Sequence, residues 1–275
     1  MEYLQNYSSS DSEEEQSNTN ESDSKLIPPP PIEIFSQHQQ MRTLSTTSLF
    51  SYIPWKPSLT TTSNLDKLTN YITKEITLLN QNYIFKPVNK DFKRQIKYHI
   101  TAYPTVNIED KNASKFKNDI RSKIASLRLP ENSIVTPPSS SIQMLNMLSK
   151  KSIRLKFENK LILGKSPTKS IIFLCGVVNL DMEIKKYIEE MLKVFNETTK
   201  ENRGQVQFPD LLKDSIHISL ATGYPKSANV PNFEELDEAV KSINVDHYLN
   251  DINIDINELI IRDMRTSFEF NINLI

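Results

Sequence analysis

The sequence predicts an α+β fold, and three observations carry that reading. Segments with period-two apolar alternation, the signature of a strand with one buried face, interleave with segments whose apolar residues recur every three to four positions. Two of the strand segments, around His99 and His217, each carry a histidine followed two residues later by a hydroxyl. Each of these two is preceded and followed by a helical segment, while the second half of the chain adds further strands.

The elements follow in order. Residues 1–48 are rich in Ser, Asn, Gln, Glu and Pro. They cannot bury enough apolar surface to offset chain entropy and are expected to be disordered. The folded domain is expected over residues 49–275. Residues 50–55 read as a first strand ending at Pro54, with Trp55 a core or lid residue. A helix is expected over about 64–80, where Leu65, Leu68, Ile72, Ile76 and Leu79 make one stripe. The His99 strand follows, and then a basic amphipathic helix over about 112–127 that buries Phe116, Ile120, Ile124 and Leu127. Residues 130–150, with Pro137 and Pro138 ahead of three serines, read as an inserted, partly disordered connection.

Beyond it, Ile153, Leu155 and Phe157 alternate, Glu158 and Asn159 suggest a turn, and Leu161 and Leu163 return, so a hairpin is expected. Residues 170–178 form a core strand containing Cys175, the single cysteine. Asp181 is placed to cap a helix over about 182–198, and Asn232 with Glu235 forms a capping box for another over about 233–243. Residues 252–261 and 267–274 read as two closing strands.

Composition narrows the chemistry. A chain of 275 residues holds one large domain or two small ones with a sizeable core. One cysteine cannot pair within the chain, and there is no secretory signal or apolar run of membrane length, so a reducing intracellular compartment is expected. No Cys/His cluster has zinc spacing, no acidic cluster has calcium-loop spacing, and the four glycines form no phosphate-cradling loop. Chemistry without a dedicated metal or cofactor is expected. The net charge of −1 conceals a polar distribution. Residues 1–25 carry seven acidic side chains against Lys25, while residues 86–165 carry seventeen Lys/Arg against six Asp/Glu. A basic block of that size suits a polyanion, or else a set of solvated helix faces.

The two histidine segments form a repeat at the level of a site. In the first, Tyr98, Ile100 and Ala102 make the buried stripe, and Lys97, His99, Thr101 and Tyr103 line the other face. In the second, Ile216, Ile218 and Leu220 oppose Ser215, His217, Ser219 and Ala221. Both end in Tyr-Pro, four residues after His99 and seven after His217. The paired His-x-Ser/Thr strands resemble the two-histidine phosphoesterase superfamily. Within it, Ser215-Ile-His217-Ile-Ser219-Leu-Ala221 and the acidic start Tyr7-Ser-Ser-Ser10 resemble the U6 small nuclear RNA 3′-end phosphodiesterases. Thr101 stands where serine is usual in the first motif, and Ala102 where leucine is usual.

The resemblance implies a two-lobed fold, with two antiparallel sheets facing a central cleft and helices outside. Lobe one would span about 49–129 and lobe two about 151–275. It also implies a nuclear, metal-independent 3′–5′ exoribonuclease that trims the 3′ oligouridine end of U6 RNA, acting as a monomer away from membranes. The chemistry suits the residues. Imidazole titrates near neutrality, so one histidine can accept the 2′-hydroxyl proton while the other donates to the departing 5′-oxygen. The motifs are symmetric on this point, and the resemblance makes His99 the acceptor and His217 the donor. Thr101 and Ser219 would bind the non-bridging phosphate oxygens. The product would be a 2′,3′-cyclic phosphate or, once opened, a 3′-phosphate.

The resemblance also implies a base-stacking aromatic just upstream of the second motif. Phe208 lies near that place and Leu211 at the gapless position. Tyr103 and Tyr224 are either base platforms or packing residues. His38 and His247 are given no role. The alternatives are a 2′,3′-cyclic phosphodiesterase acting on tRNA ends or small cyclic nucleotides, and a non-catalytic RNA-binding module.

Overall fold

Apolar alternation becomes eleven strands in the computed structural model, which describes residues 45–79, 82–135, 151–213, 215–226 and 233–275. The described residues lie within one unit spanning Leu44–Ile275. In chain order the strands are β1 (Thr46–Pro54), β2 (Tyr83–Pro87), β3 (His99–Glu109), β4 (Ile134–Val135), β5 (Ser152–Lys165), β6 (Ile172–Asn179), β7 (Gln205–Val206), β8 (His217–Pro225), β9 (Asn253–Ile256), β10 (Glu258–Asp263) and β11 (Glu269–Asn273). The helices are α1 (Leu59–Leu79), α2 (Asp110–Ala125), α3 (Met182–Glu201), α4 (Phe233–Lys241) and the single turn α5 (Asp246–Leu249).

Every strand pairing is antiparallel. One block runs β11–β10–β1–β3, with β7 on β3; the other runs β8–β6–β5–β4, with β2 on β8 and β9 on β5. The two expected sheets are therefore joined into one network. They meet at a single residue pair, Ile100 opposite Ile218, one position beyond each motif histidine.

Helices cover one face of this network. The α1 stripe of Leu65, Leu68, Ile72 and Ile76 is at most 1% exposed, and each such side chain contributes about 1.5–3 kcal/mol relative to exposure. Phe116 and Ile120 of α2 share the core with Leu49, Val106 and Ile108 of the first block. Asp181 caps α3 as its sequence position suggests, accepting from the Ile184 N–H at 2.8 Å. The Asn232 half of the other capping box lies outside the described residues, as do His38 and residues 136–150. Trp55 is a core residue, edge-on to Tyr98 and Phe157.

Two expectations are corrected. Residues 153–163 are one strand rather than a hairpin: Phe157 pairs with Val178 and Leu161 with Gly176, while Glu158, Asn159 and Lys160 bulge out between them. Over residues 153–156 one edge of β5 is taken by β9, and the other is taken by β4 at Ile153 and β6 at Lys156, so a return strand has no place beside this arm. Residues 252–261 are two strands, because the chain leaves the second block after Ile256 and enters the first at Glu258. The edge strand β2, which has no marked apolar alternation, pairs with the second motif strand across Tyr83–Pro87.

The N-terminal boundary also moves. β1 begins at Thr46, and Thr46, Thr47 and Ser48 pair with Glu109, Ile108 and Asn107. The hydroxyls of Ser45 and Thr47 donate to Asp110, and Ser48 to Asn107 at 2.6 Å. A chain starting at residue 44 should match the full chain in thermal stability. One starting at Leu49 loses three ladder positions, and its unfolding midpoint should fall by roughly 5–10 °C at about 1 kcal/mol per lost hydrogen bond. Equal midpoints in calorimetry for the two truncations would contradict this boundary.

Candidate active site

The Ile100–Ile218 pair sets the geometry of the cleft. In an antiparallel register the neighbours of that pair fall opposite each other, so His99 stands across from Ser219 and Thr101 across from His217. All four leave the sheet on the face away from Ile100 and Ile218. The histidines thus occupy one diagonal of a rectangle and the hydroxyls the other. Past this pair the strands part, and the wedge between them is lined by Thr101, Pro104, Leu192, Leu211, Ser215 and His217.

Both imidazoles are held in the same way. His99 Nδ1 lies 2.8 Å from the Lys97 carbonyl, and His217 Nδ1 lies 2.7 Å from the Ser215 carbonyl, in each case two residues back. A carbonyl only accepts, so Nδ1 carries the proton and Nε2 is left as the lone-pair nitrogen of the neutral ring. The two hydroxyls differ: Thr101 is exposed, whereas Ser219 is buried with its Oγ 3.8 Å from the Cys175 thiol.

The surroundings break the symmetry further. Phe50 and Tyr52 of β1 stack on each other and stand edge-on to the His99 ring, at 5.9 and 5.6 Å between centroids. Tyr52 in turn donates to Glu269, which pairs with Arg262. Burial above all, then the charges of Arg94 and His217, push His99 down to about 4, against the opposing hydrogen bond to Lys97. His99 is therefore neutral at pH 7.

β-Bulges decide the fate of the two Tyr-Pro endings. On β3, Tyr52 pairs with Thr101 but Ser51 with Tyr103, so one extra residue flips the alternation. Tyr103, expected beside His99, turns into the core, where it stacks on Phe195 at 4.9 Å and donates to Asn196 at 2.6 Å. It is 1% exposed and cannot serve as a base platform. On β8 a bulge between the Ser219 and Ala221 pairings likewise sends Ala221 inward. The same flip brings Thr222 and Tyr224 onto the site face. Tyr224 donates to the buried Asp91 at 2.8 Å, and the Lys93 ammonium lies 4.9 Å from its ring centroid. Burial and this carboxylate push the phenol up to about 12. Burial opposes ionisation of Asp91, but hydrogen bonds from Tyr224, the Lys93 backbone and Thr222 outweigh it and hold the carboxyl below its usual range.

Phe208 is 41% exposed and lines a groove with Leu211, Ser215 and His217. Its φ of 54° is a left-handed conformation that costs a side-chain-bearing residue about 1–2 kcal/mol. Both residues considered for the upstream contact thus sit beside His217. Phe50 and Tyr52 were missed as site residues although period two along β1 places them on one face. Arg94, whose guanidinium lies over Phe173, had no sequence signal. His247 sits in α5 beside Tyr248 and takes no part. Among the described residues no His/Cys/Asp/Glu group is arranged to hold a metal ion, and no helix is long and apolar enough to cross a membrane.

The proton affinity of His99 gives a test. The unfolded ring takes up its proton near pH 6.5 and the folded one near 4. Its contribution to stability is intact above 6.5 and is lost as pH falls through that window. The His99 ring should titrate near pH 4 by NMR, in step with a declining unfolding midpoint. A titration at or above 6.5 would contradict the buried, neutral assignment.

No protein-family model matches the sequence, and no curated protein matches it by sequence comparison. Among solved structures, the fold is that of Kluyveromyces marxianus Usb1, with a TM-score of 0.60 at 10% identity over 82% of this chain and 97% of that one. The structure of the same yeast protein with uridine monophosphate gives a TM-score of 0.57, again at 10% identity and the same coverage.

Proposed function

We propose that this chain is a 3′–5′ RNA phosphodiesterase of the kind its motifs resemble, which shortens the oligouridine end of U6 small nuclear RNA in the nucleus. The observation that carries this reading is the diagonal placement of two Nδ1-anchored histidines about two hydroxyls. The fold shared with Usb1, one structure of which holds uridine monophosphate, supports it.

The difference between the two histidines supports the division of labour. His99, neutral at pH 7, accepts the proton of the penultimate nucleotide's 2′-hydroxyl through Nε2. That oxygen attacks its own phosphorus, and the bond to the terminal nucleotide's 5′-oxygen breaks. His217, in protonated form, donates a proton to that departing oxygen. The penultimate nucleotide is left with a 2′,3′-cyclic phosphate and the terminal one leaves as a nucleoside. Thr101 and Ser219 donate to the non-bridging oxygens, where negative charge grows in the transition state. The nucleophile is already tethered beside phosphorus, so its attack is effectively unimolecular. Phe208 and Phe50 are the exposed or half-buried aromatic faces against which flanking bases could stack.

His99→Ala and His217→Ala should each abolish trimming of oligouridine nearly as fully as the double substitution, because acid and base serve one transition state. Thr101→Ala or Ser219→Ala should lower kcat by roughly ten- to a thousandfold. The deciding substrate carries a 2′-deoxy penultimate nucleotide. It should bind but resist cleavage, whereas 2′-deoxy at the terminal position should be tolerated. Equal cleavage of the two would mean that water is the nucleophile. Opening of a cyclic phosphate without any shortening would favour a cyclic phosphodiesterase.

A further inference from the structure

Among the described residues, one buried guanidinium nitrogen, Nη1 of Arg94, has no hydrogen-bond partner. Arg94 lies in the segment leading into β3, five residues before His99. Its guanidinium sits 5.1 Å from the ring centroid of Phe173. The residue is half-buried, and its Nη1 is shut off from solvent with no hydrogen-bond partner. Other arginines of the fold are matched: Arg154 forks onto Asp255 at 2.8 and 3.0 Å, and Arg262 reaches Glu269 and Gln95. The carboxylate nearest in effect, Asp91, is already engaged by the Tyr224 hydroxyl and the Lys93 N–H. A guanidinium buried with an idle N–H is a standing cost to the fold, and such groups persist where a ligand supplies the missing acceptor.

Its place in the cleft indicates which ligand. Phe173 and Cys175 lie two apart on β6, on the face that carries Ser219, and the Cys175 thiol touches the Ser219 hydroxyl. The charge of Arg94 also acts on Asp91, Tyr224 and His99. Arg94 and Ser219 therefore converge on the half of the rectangle that holds His99. Two guanidinium N–H groups can grip two oxygens of one tetrahedral anion, a geometry that ammonium cannot match.

We propose that Arg94 is a phosphate-binding residue of this cleft, its guanidinium donating to the non-bridging oxygens of the phosphate that Ser219 also contacts. The phosphate being the scissile one rests on the function proposed above; the affinity for a phosphate monoester does not.

The test uses the full chain with inorganic phosphate and uridine 3′-monophosphate as probes. In the wild type both should raise the unfolding midpoint. Arg94→Met removes the charge and keeps the apolar stem. Its ligand-free midpoint should equal or exceed that of the wild type, while its affinity for uridine 3′-monophosphate by calorimetry should fall more than tenfold. Arg94→Lys, which keeps the charge without the fork, should fall between the two and decides alone if Arg94→Met does not fold. An affinity within twofold of wild type in either variant overturns the proposal, as does a wild type that binds neither probe. A lower midpoint with unchanged affinity would make Arg94 a packing residue on Phe173. If the wild type does not shorten oligouridine yet loses phosphate affinity with Arg94, the inference stands and the proposed function fails. If the wild type trims and Arg94→Met trims equally well, the inference alone fails.

Discussion

The cleft depends on one stretch of backbone pairing, at Ile100 and Ile218. Both side chains are buried and belong to the same core, so the register is fixed from below by packing. A slip of one residue would flip one strand against the other, turning its isoleucine outward and its histidine into the core. The same contact that joins the two blocks thereby sets each histidine opposite the hydroxyl of the other motif. Because the blocks pair nowhere else through β3 and β8, they diverge at once, and that divergence opens the wedge beside His217.

Around this nearly symmetric centre the two sides differ in electrostatics. The His99 side is walled by Phe50 and Tyr52, and burial above all, aided by the charge of Arg94, keeps its imidazole neutral. The His217 side opens onto grooves whose lining includes Lys160, Lys165 and Lys241. Backbone symmetry thus supplies matched positions for the two imidazoles, while their surroundings differ, and burial holds His99 below its ordinary value.

The basic block divides along the same line. Lys115 and Lys123 of α2 are tied to Asp119 and Glu201, and Arg121 lies on Phe270, away from the cleft. Arg154 is spent on Asp255 in the sheet. Lys86 and Lys93, by contrast, flank the Tyr224 ring, and Arg94 stands at the cleft itself. Much of the charge excess thus decorates helix and sheet surfaces, and a smaller group is gathered around Tyr224 and Phe173.

The sequence by itself determined the local matters: which residues make strands and helices, that Asp181 caps α3, and that His99, Thr101, His217 and Ser219 form a matched set. These follow from periods of 2 and 3.6 and from residue chemistry, which neighbours along the chain suffice to express. The break at Asn257 was not legible, since the apolar run Leu259-Ile260-Ile261 continues the pattern and only the change of partner strand separates β9 from β10. Only the tertiary structure decided where the two Tyr-Pro endings go. A bulge is set by the partner strand's register, so nothing local tells that Tyr103 is turned into the core while Tyr224 is turned onto the site face. Arg94 was invisible for the same reason: its neighbours Phe173, Cys175 and Tyr224 come from β6 and β8, and a buried charge acquires meaning only from the groups that surround it in space.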